Sequence, residues 1–123
     1  MIIIGIDVSK NTLDCALIRD DYAPKKVPLA TFANSATGVK RLLAWAKKRT
    51  GQAPESMTAV LEATGIYHET AAYALDDSGV TVVVLNPARA RDYARSQGRV
   101  NKTDRVDSQV LAQFGLTQPL PAW

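Results

Sequence analysis

Three isoleucines, a glycine, a fourth isoleucine and then an aspartate open the chain after Met1. Such an apolar, β-branched run is at home in a strand covered on both faces. A carboxylate at its end is costly to ionise near a core unless a cation or hydrogen-bond donors meet it. The run from Ile2 to Asp7 therefore makes two demands: a sheet with layers on both sides, and a polar event where the strand stops. The arrangement recurs at Met57 to Glu62, where Ala59, Val60 and Leu61 lead to a second carboxylate just before the turn Ala63-Thr64-Gly65. Open α/β sheets hold ligands beyond the carboxyl ends of their strands.

Other elements can be read around these two. Val8 to Asn11 can turn the chain, and Thr12 to Ile18 alternates polar and apolar residues as a half-exposed strand does. Arg19 to Lys26 is charged, contains Pro24 and reads as a hairpin loop. Val27 to Phe32 can form a third strand, and Pro28 places that strand near a sheet edge. Asn34 or Ser35 can cap a helix whose apolar face is Val39, Leu42, Leu43 and Ala46, with Gly51 as its stop. Ile66 to Asp77 reads as a helix burying Ala71, Ala72 and Leu75. Val80 to Leu85 reads as a central, doubly covered strand. Asn86-Pro87 is a helix start, followed by a basic helix to about Arg95. Ser96 to Lys102 reads as a mobile loop, and Thr103 to Phe114 as a final helix with Val106, Val110, Leu111 and Phe114 on its core side. The order βββαβαβαα, with its five strands, predicts an α/β fold: a mixed sheet with helices on its faces. Residues 1–115 are expected to form one domain, and residues 116–123 a proline-containing tail or the start of a linker.

The 123 residues, 46% hydrophobic and 22% charged, suit one domain with its own core. There is no apolar run of about 20 residues to span a bilayer and no signal-peptide pattern at the N-terminus, so a cytoplasmic location is expected and no membrane partner. Cys15 is the single cysteine. It excludes an internal disulfide and a cysteine-based zinc site, and reads as a core thiol. The net charge of +3 is a weak hint of a polyanionic partner. Its distribution says more. Arg89, Arg91, Arg95, Arg99, Lys102 and Arg105 are opposed only by Asp92 and Asp104 over the same stretch. With Lys10 beside the first strand, they are the candidate phosphate contacts.

Of the twelve acidic residues, Asp20, Asp21, Glu55, Asp76 and Asp77 fall in loops or helix ends where solvation suffices. Asp7 and Glu62 end strands. Asp104 and Asp107 are three residues apart, about 60° apart in projection on a helix. As N-cap and first-turn residue they would also complement the helix dipole. Four carboxylates converging would raise one another's pKa without cations. Two Mg²⁺ ions, with Mn²⁺ able to substitute, match such hard oxygen donors, and a metal pair can activate an attacking oxygen and stabilise a leaving one. The expected site is thus Asp7, Glu62, Asp104 and Asp107, both as metal ligands and as the catalytic set. His68 can carry a proton but reads as a helix-start surface residue. Tyr67 can stack on a base or pack on its helix, and packing is expected. Trp45 reads as core or interface.

Three segments carry a family resemblance: G-I-D-V-S-K around Asp7, L-E-A-T-G-I-Y-H around Glu62, and N-K-T-D-R-V-D-S-Q-V-L-A-Q-F around Asp104 and Asp107. In this order they resemble the DEDD-type transposases of bacterial insertion sequences, a family that includes the Piv-type DNA invertases. The likeness covers nearly the whole chain, and K-T-D-x-x-D is its most specific part. It implies an RNase H-like (RuvC-like) fold and an acidic tetrad of Asp7, Glu62, Asp104 and Asp107 on divalent metal. It also implies cleavage and rejoining of DNA strands during transposition or inversion. The implied partners are DNA, a structured noncoding RNA of the element, and a C-terminal domain carrying an attacking serine, in a homo-oligomeric active complex. None of this chain's serines matches that position, so the 123 residues are expected to be an N-terminal catalytic domain. Two other readings are a Holliday-junction-resolvase-like nuclease of the same fold and a non-catalytic nucleic-acid-binding module. An actin-like or sugar-kinase ATPase also opens on G-I-D. Val8-Ser9-Lys10 stands here in place of that class's Gly-Thr turn, and no later glycine-rich adenosine loop follows.

Overall fold

The computed structural model describes residues 1–19, 27–63, 65–98 and 107–118. Its elements are β1 (Ile2–Val8), β2 (Thr12–Arg19), β3 (Leu29–Ala33), α1 (Ala36–Thr50), a 3-10 turn (Pro54–Ser56), β4 (Met57–Glu62), α2 (His68–Asp77), β5 (Thr81–Leu85), α3 (Pro87–Ser96) and α4 (Ser108–Thr117). The strands form one five-stranded sheet in the order β3-β2-β1-β4-β5. β1 to β3 pair antiparallel, and β1, β4 and β5 run parallel. The expected mixed sheet and element order are therefore observed. The expected hairpin loop lies outside the described residues from position 20 to 26, as does the expected loop from position 99 to 102.

Strand alternation divides the interior in two. Ile2, Ile4, Ile6 and Val8 of β1 pack with Met57, Ala59 and Leu61 of β4, Val39, Leu42 and Leu43 of α1, and Ala71, Ala72 and Leu75 of α2. Ile3, Val60, Val83 and Leu85 point the other way, onto Ala90 and Ala94 of α3 and Val110, Leu111 and Phe114 of α4. The apolar positions of β1 thus meet helices on both faces of the sheet, which explains why β1 shows no polar alternation before Asp7.

Local chemistry sets the element ends. Ser35 Oγ accepts from Gly38 N at the start of α1, and Gly51, at φ 70°, closes it in the left-handed region that glycine adopts without strain. Asn86 Oδ1 accepts from Ala88 N and Pro87 follows it, as expected from the sequence. Three readings need correction. β5 is doubly covered but is an edge strand rather than a central one, because burial by helices on both faces yields the same apolar run as burial between strands. α2 begins at His68, after a turn over residues 65–67, not at Ile66. The last helix runs from Ser108 to Thr117, three residues beyond the expected Phe114.

Cys15 is buried at 1% exposure, and its Sγ faces Leu13 O at 3.7 Å. Burial, with the charge of Asp14 adding to it, pushes this thiol well above its ordinary pKa. The folded state therefore holds a proton that the unfolded chain releases above about pH 8.5, so stability is complete below that pH and falls above it. The slope from this group is about 1.4 kcal/mol per pH unit. Urea titrations at pH 8 and pH 10 should show this fall in the wild type and a smaller one in Cys15→Ala. Equal falls would contradict the assignment.

Candidate metal and strand-cleavage site

The strand ends bring Asp7 and Glu62 together. Ile6 of β1 is level with Leu61 of β4 in a parallel register, so the next residues along, Asp7 and Glu62, end neighbouring strands side by side. Asp7 is in phase with Ile3, and Glu62 with Val60, so both carboxylates face the α3/α4 layer. Both are half-buried.

The start of α4 packs on that same face of β1. Gly5, two residues before Asp7 on the same side of β1, lies directly beneath the first turns of the helix. A Cβ on Gly5 would stand 2.5 Å from Ala112 N and closer still to Ser108 O. The start of α4 is therefore held against the carboxylate-bearing end of β1. Asp107 is the N-cap of α4: its backbone is extended, at φ −83° and ψ 173°, and its Oδ1 accepts from Val110 N at 3.0 Å. The sequence spacing predicts Asp107 in the first helical turn behind an Asp104 cap. The structure makes Asp107 itself the cap, so the 60° helical projection does not relate the two. Asp104 lies outside the described residues.

One carboxylate on this face escaped the sequence reading. Asp14 of β2 is the partner of Asp7 across the antiparallel pair, and paired residues share a face. Its Oδ1 accepts from Thr31 Oγ1 at 2.7 Å. Alternation marked Asp14 as a polar strand position, but only the register could set it opposite Asp7. Among the described residues, no three His, Cys, Asp or Glu side chains are gathered closely enough to hold a metal by themselves. The donors fit a hard divalent cation in kind, since all are carboxylate oxygens.

Asp107 has two separable duties available, capping and charge. Asp107→Ala should lose about 0.5–2 kcal/mol of stability, whereas Asp107→Asn should stay within a few tenths, because asparagine caps equally well. Thermal unfolding of the two variants checks this. Equal losses would mean that the cap hydrogen bond carries no stability.

The basic residues divide. Lys10 is exposed on the β1–β2 turn, three residues after Asp7. Arg89 stacks its guanidinium 5.2 Å from the Phe114 ring centroid. Arg91 is half-buried, and Arg95 pairs with Asp92 at 3.3 Å. Tyr93 meets Phe114 edge-on at 5.2 Å and its hydroxyl lies 3.1 Å from Thr117 Oγ1. α3 thus runs along the C-terminal half of α4, and its Arg95 end lies away from Asp107 rather than leading to it. Arg99, Lys102 and Arg105 lie outside the described residues. Trp45 is half-buried against Phe32, at 5.7 Å between ring centroids. Tyr67, expected to pack on its helix, is 45% exposed. His68 opens α2, half-buried as a helix-start residue.

A five-stranded mixed sheet with carboxylates at the ends of its adjacent parallel strands, and helices on both faces, defines an RNase H-like α/β domain. Solved structures agree. The chain superposes on Thermus thermophilus RuvC with a TM-score of 0.54, at 15% identity and covering 91% of each chain. It superposes on the T. thermophilus RuvC bound to a Holliday junction substrate, also with a TM-score of 0.54, at 14% identity over 98% of this chain and 99% of that one. The sequence then settles the family: the profile of the IS110-type DEDD transposases matches residues 4–122, and the chain belongs to that family. It is 32% identical over 120 residues to the pilin gene-inverting proteins of Moraxella bovis and Moraxella lacunata. The match covers 98% of this chain but 36% of those relatives, so the chain spans about a third of their length. No described helix is long and apolar enough to cross a membrane.

Proposed function

We propose that this chain is the carboxylate-bearing catalytic domain of a DNA transposase or site-specific recombinase, and that Asp7, Glu62, Asp104 and Asp107 hold its divalent metal. One observation carries the reading. Asp7 and Glu62 end adjacent parallel strands on the face against which the Asp107-capped start of α4 is packed. Membership of the transposase family supports it independently.

Magnesium, when bound, would lower the pKa of an attacking oxygen and neutralise charge on the scissile phosphate. The protein's part is placement. Asp7 and Glu62 ride on strands locked by their neighbours, so they offer oxygens whose positions cost little to organise. Asp107 spends one oxygen on Val110 N, which orients the carboxylate and leaves the other for a cation. Lys10, and Lys102 and Arg105 beside Asp104, would take phosphate oxygens of the strand. Arg89, Arg91, Arg95 and Arg99 belong to the same proposal as contacts for flanking DNA. So do the structured RNA, the serine-bearing segment and a second copy of the chain. Residues 1–115 are the proposed catalytic unit, with 116–123 leading out of it.

Calorimetric titration of Mg²⁺ and Mn²⁺ tests the site. The wild-type chain should bind either ion and Asp7→Asn should not. Equal binding by both, or none by either, would remove the metal reading. Cleavage of branched DNA by this chain alone would favour a resolvase-like nuclease.

A further inference from the structure

The turn after Glu62 exposes two large apolar side chains, Ile66 at 70% and Tyr67 at 45%. Burial does not account for them, and adjacent exposed apolar groups beside a site mark an interaction surface. The turn is tied down at the carboxylate edge. Asn34 Nδ2 donates to Tyr67 O at 2.8 Å and to Ser9 O at 2.9 Å. Ser9 lies two residues beyond Asp7, so one side-chain amide clamps the β4–α2 turn to the end of β1. Gly65, at φ +64° with nothing within 4 Å of a Cβ position, lets the chain reverse into open space before the two side chains. The exposed Lys10 shares this edge. The result is an apolar tip tied to the sheet edge where β1 ends, four residues beyond Glu62 in the chain, with the exposed cation of Lys10 in the turn that follows β1.

We propose that Ile66 and Tyr67 take an unstacked nucleobase of the DNA step that lies over Asp7 and Glu62, with Asn34 positioning the tip. This rests on the nucleic-acid reading of the site given above. A phosphodiester reaches recessed carboxylates more easily when the local stack opens, and apolar or aromatic side chains stabilise an opened base without reading its sequence. A polar or charged tip would serve for backbone contact alone. Ile66 and Tyr67 have no such chemistry apart from the phenol.

The test uses branched DNA oligonucleotides with 2-aminopurine at successive positions across the branch, bound to the chain. The wild type should brighten the probe at one or two positions. Ile66→Ser/Tyr67→Ala should abolish that signal and weaken binding about 5- to 100-fold, with the salt dependence unchanged because no phosphate contact is lost. Tyr67→Phe should keep both. Asn34→Ala should lower the signal more than the affinity. No brightening at saturation, or brightening that survives the double substitution, overturns the proposal. So does altered self-association of the double variant, by sedimentation, with intact DNA binding, since the tip would then be a protein interface. Asp7→Asn separates the two readings: it should lose cleavage and keep the base signal. A wild-type chain that binds no DNA overturns both.

Discussion

Asp7→Asn is expected to lower metal-dependent strand cleavage by about 10³-fold or more while leaving the fold intact. A bound cation contributes several kcal/mol of charge stabilisation in the transition state, and each 1.36 kcal/mol is a factor of ten. The substitution is isosteric, so Ile6, Val8 and the β1–β4 pairing keep their contacts. It also relieves the like charge of Asp14, its cross-strand partner, and like charges set opposite each other on a sheet destabilise it. The variant should therefore keep the wild-type sheet pairing. It should also lose the rise in melting temperature that a bound cation confers by mass action. Glu62→Gln should behave in the same way. Cleavage at the wild-type rate by Asp7→Asn, with its fold confirmed by circular dichroism, would end the assignment.

Gly5→Ala is expected to be among the most destabilising single-methyl additions in the protein. Ordinary overpacking costs about 1–3 kcal/mol because side chains can move aside. Here the obstacles are backbone atoms of α4, Ser108 O and Ala112 N, the latter 2.5 Å from the new carbon. The helix must lift as a whole. Gly115 makes a second close approach farther along, where a Cβ would meet Ile3 Cγ2 and Val60 Cγ2 at 2.7 Å each. Gly5→Ala should thus cost about 3 kcal/mol or more in urea unfolding, at or beyond the top of that range. In whatever fraction stays folded, Asp107 should be displaced from Asp7 and metal affinity lowered. An unchanged urea midpoint would show that α4 does not sit on β1 as described. Gly115→Ala provides a milder comparison, because its obstacles are side-chain methyl groups.

Strand-end carboxylates such as Asp7 and Glu62 are legible in a sequence because an ionised group after an apolar run has few inexpensive structural explanations. Helix starts at Ser35 and Asn86 are legible because capping is local chemistry. The edge position of β5 is not legible in its sequence, since cover by helices on both faces and cover by strands on both edges produce the same valine run. The cap of the last helix was ambiguous between Asp104 and Asp107 because either aspartate can accept from backbone amides two or three residues ahead. Asp14 stayed hidden, as the residue opposite Asp7 is set by register, and register is a relation between segments.

The aspartate that closes the opening isoleucine run shows where the division falls. The sequence by itself determined that Asp7 ends a buried strand, that Glu62 repeats the arrangement, and that D-x-x-D stands near a helix start. These follow from short-range preferences and burial costs. Only the tertiary structure decided that Asp7 and Glu62 are neighbours on one face, that Asp14 stands across from Asp7, and that Gly5 admits α4 so closely. Those facts depend on strand order, register and the approach of two backbones, and no single segment carries the free energy of such a contact in its own residues.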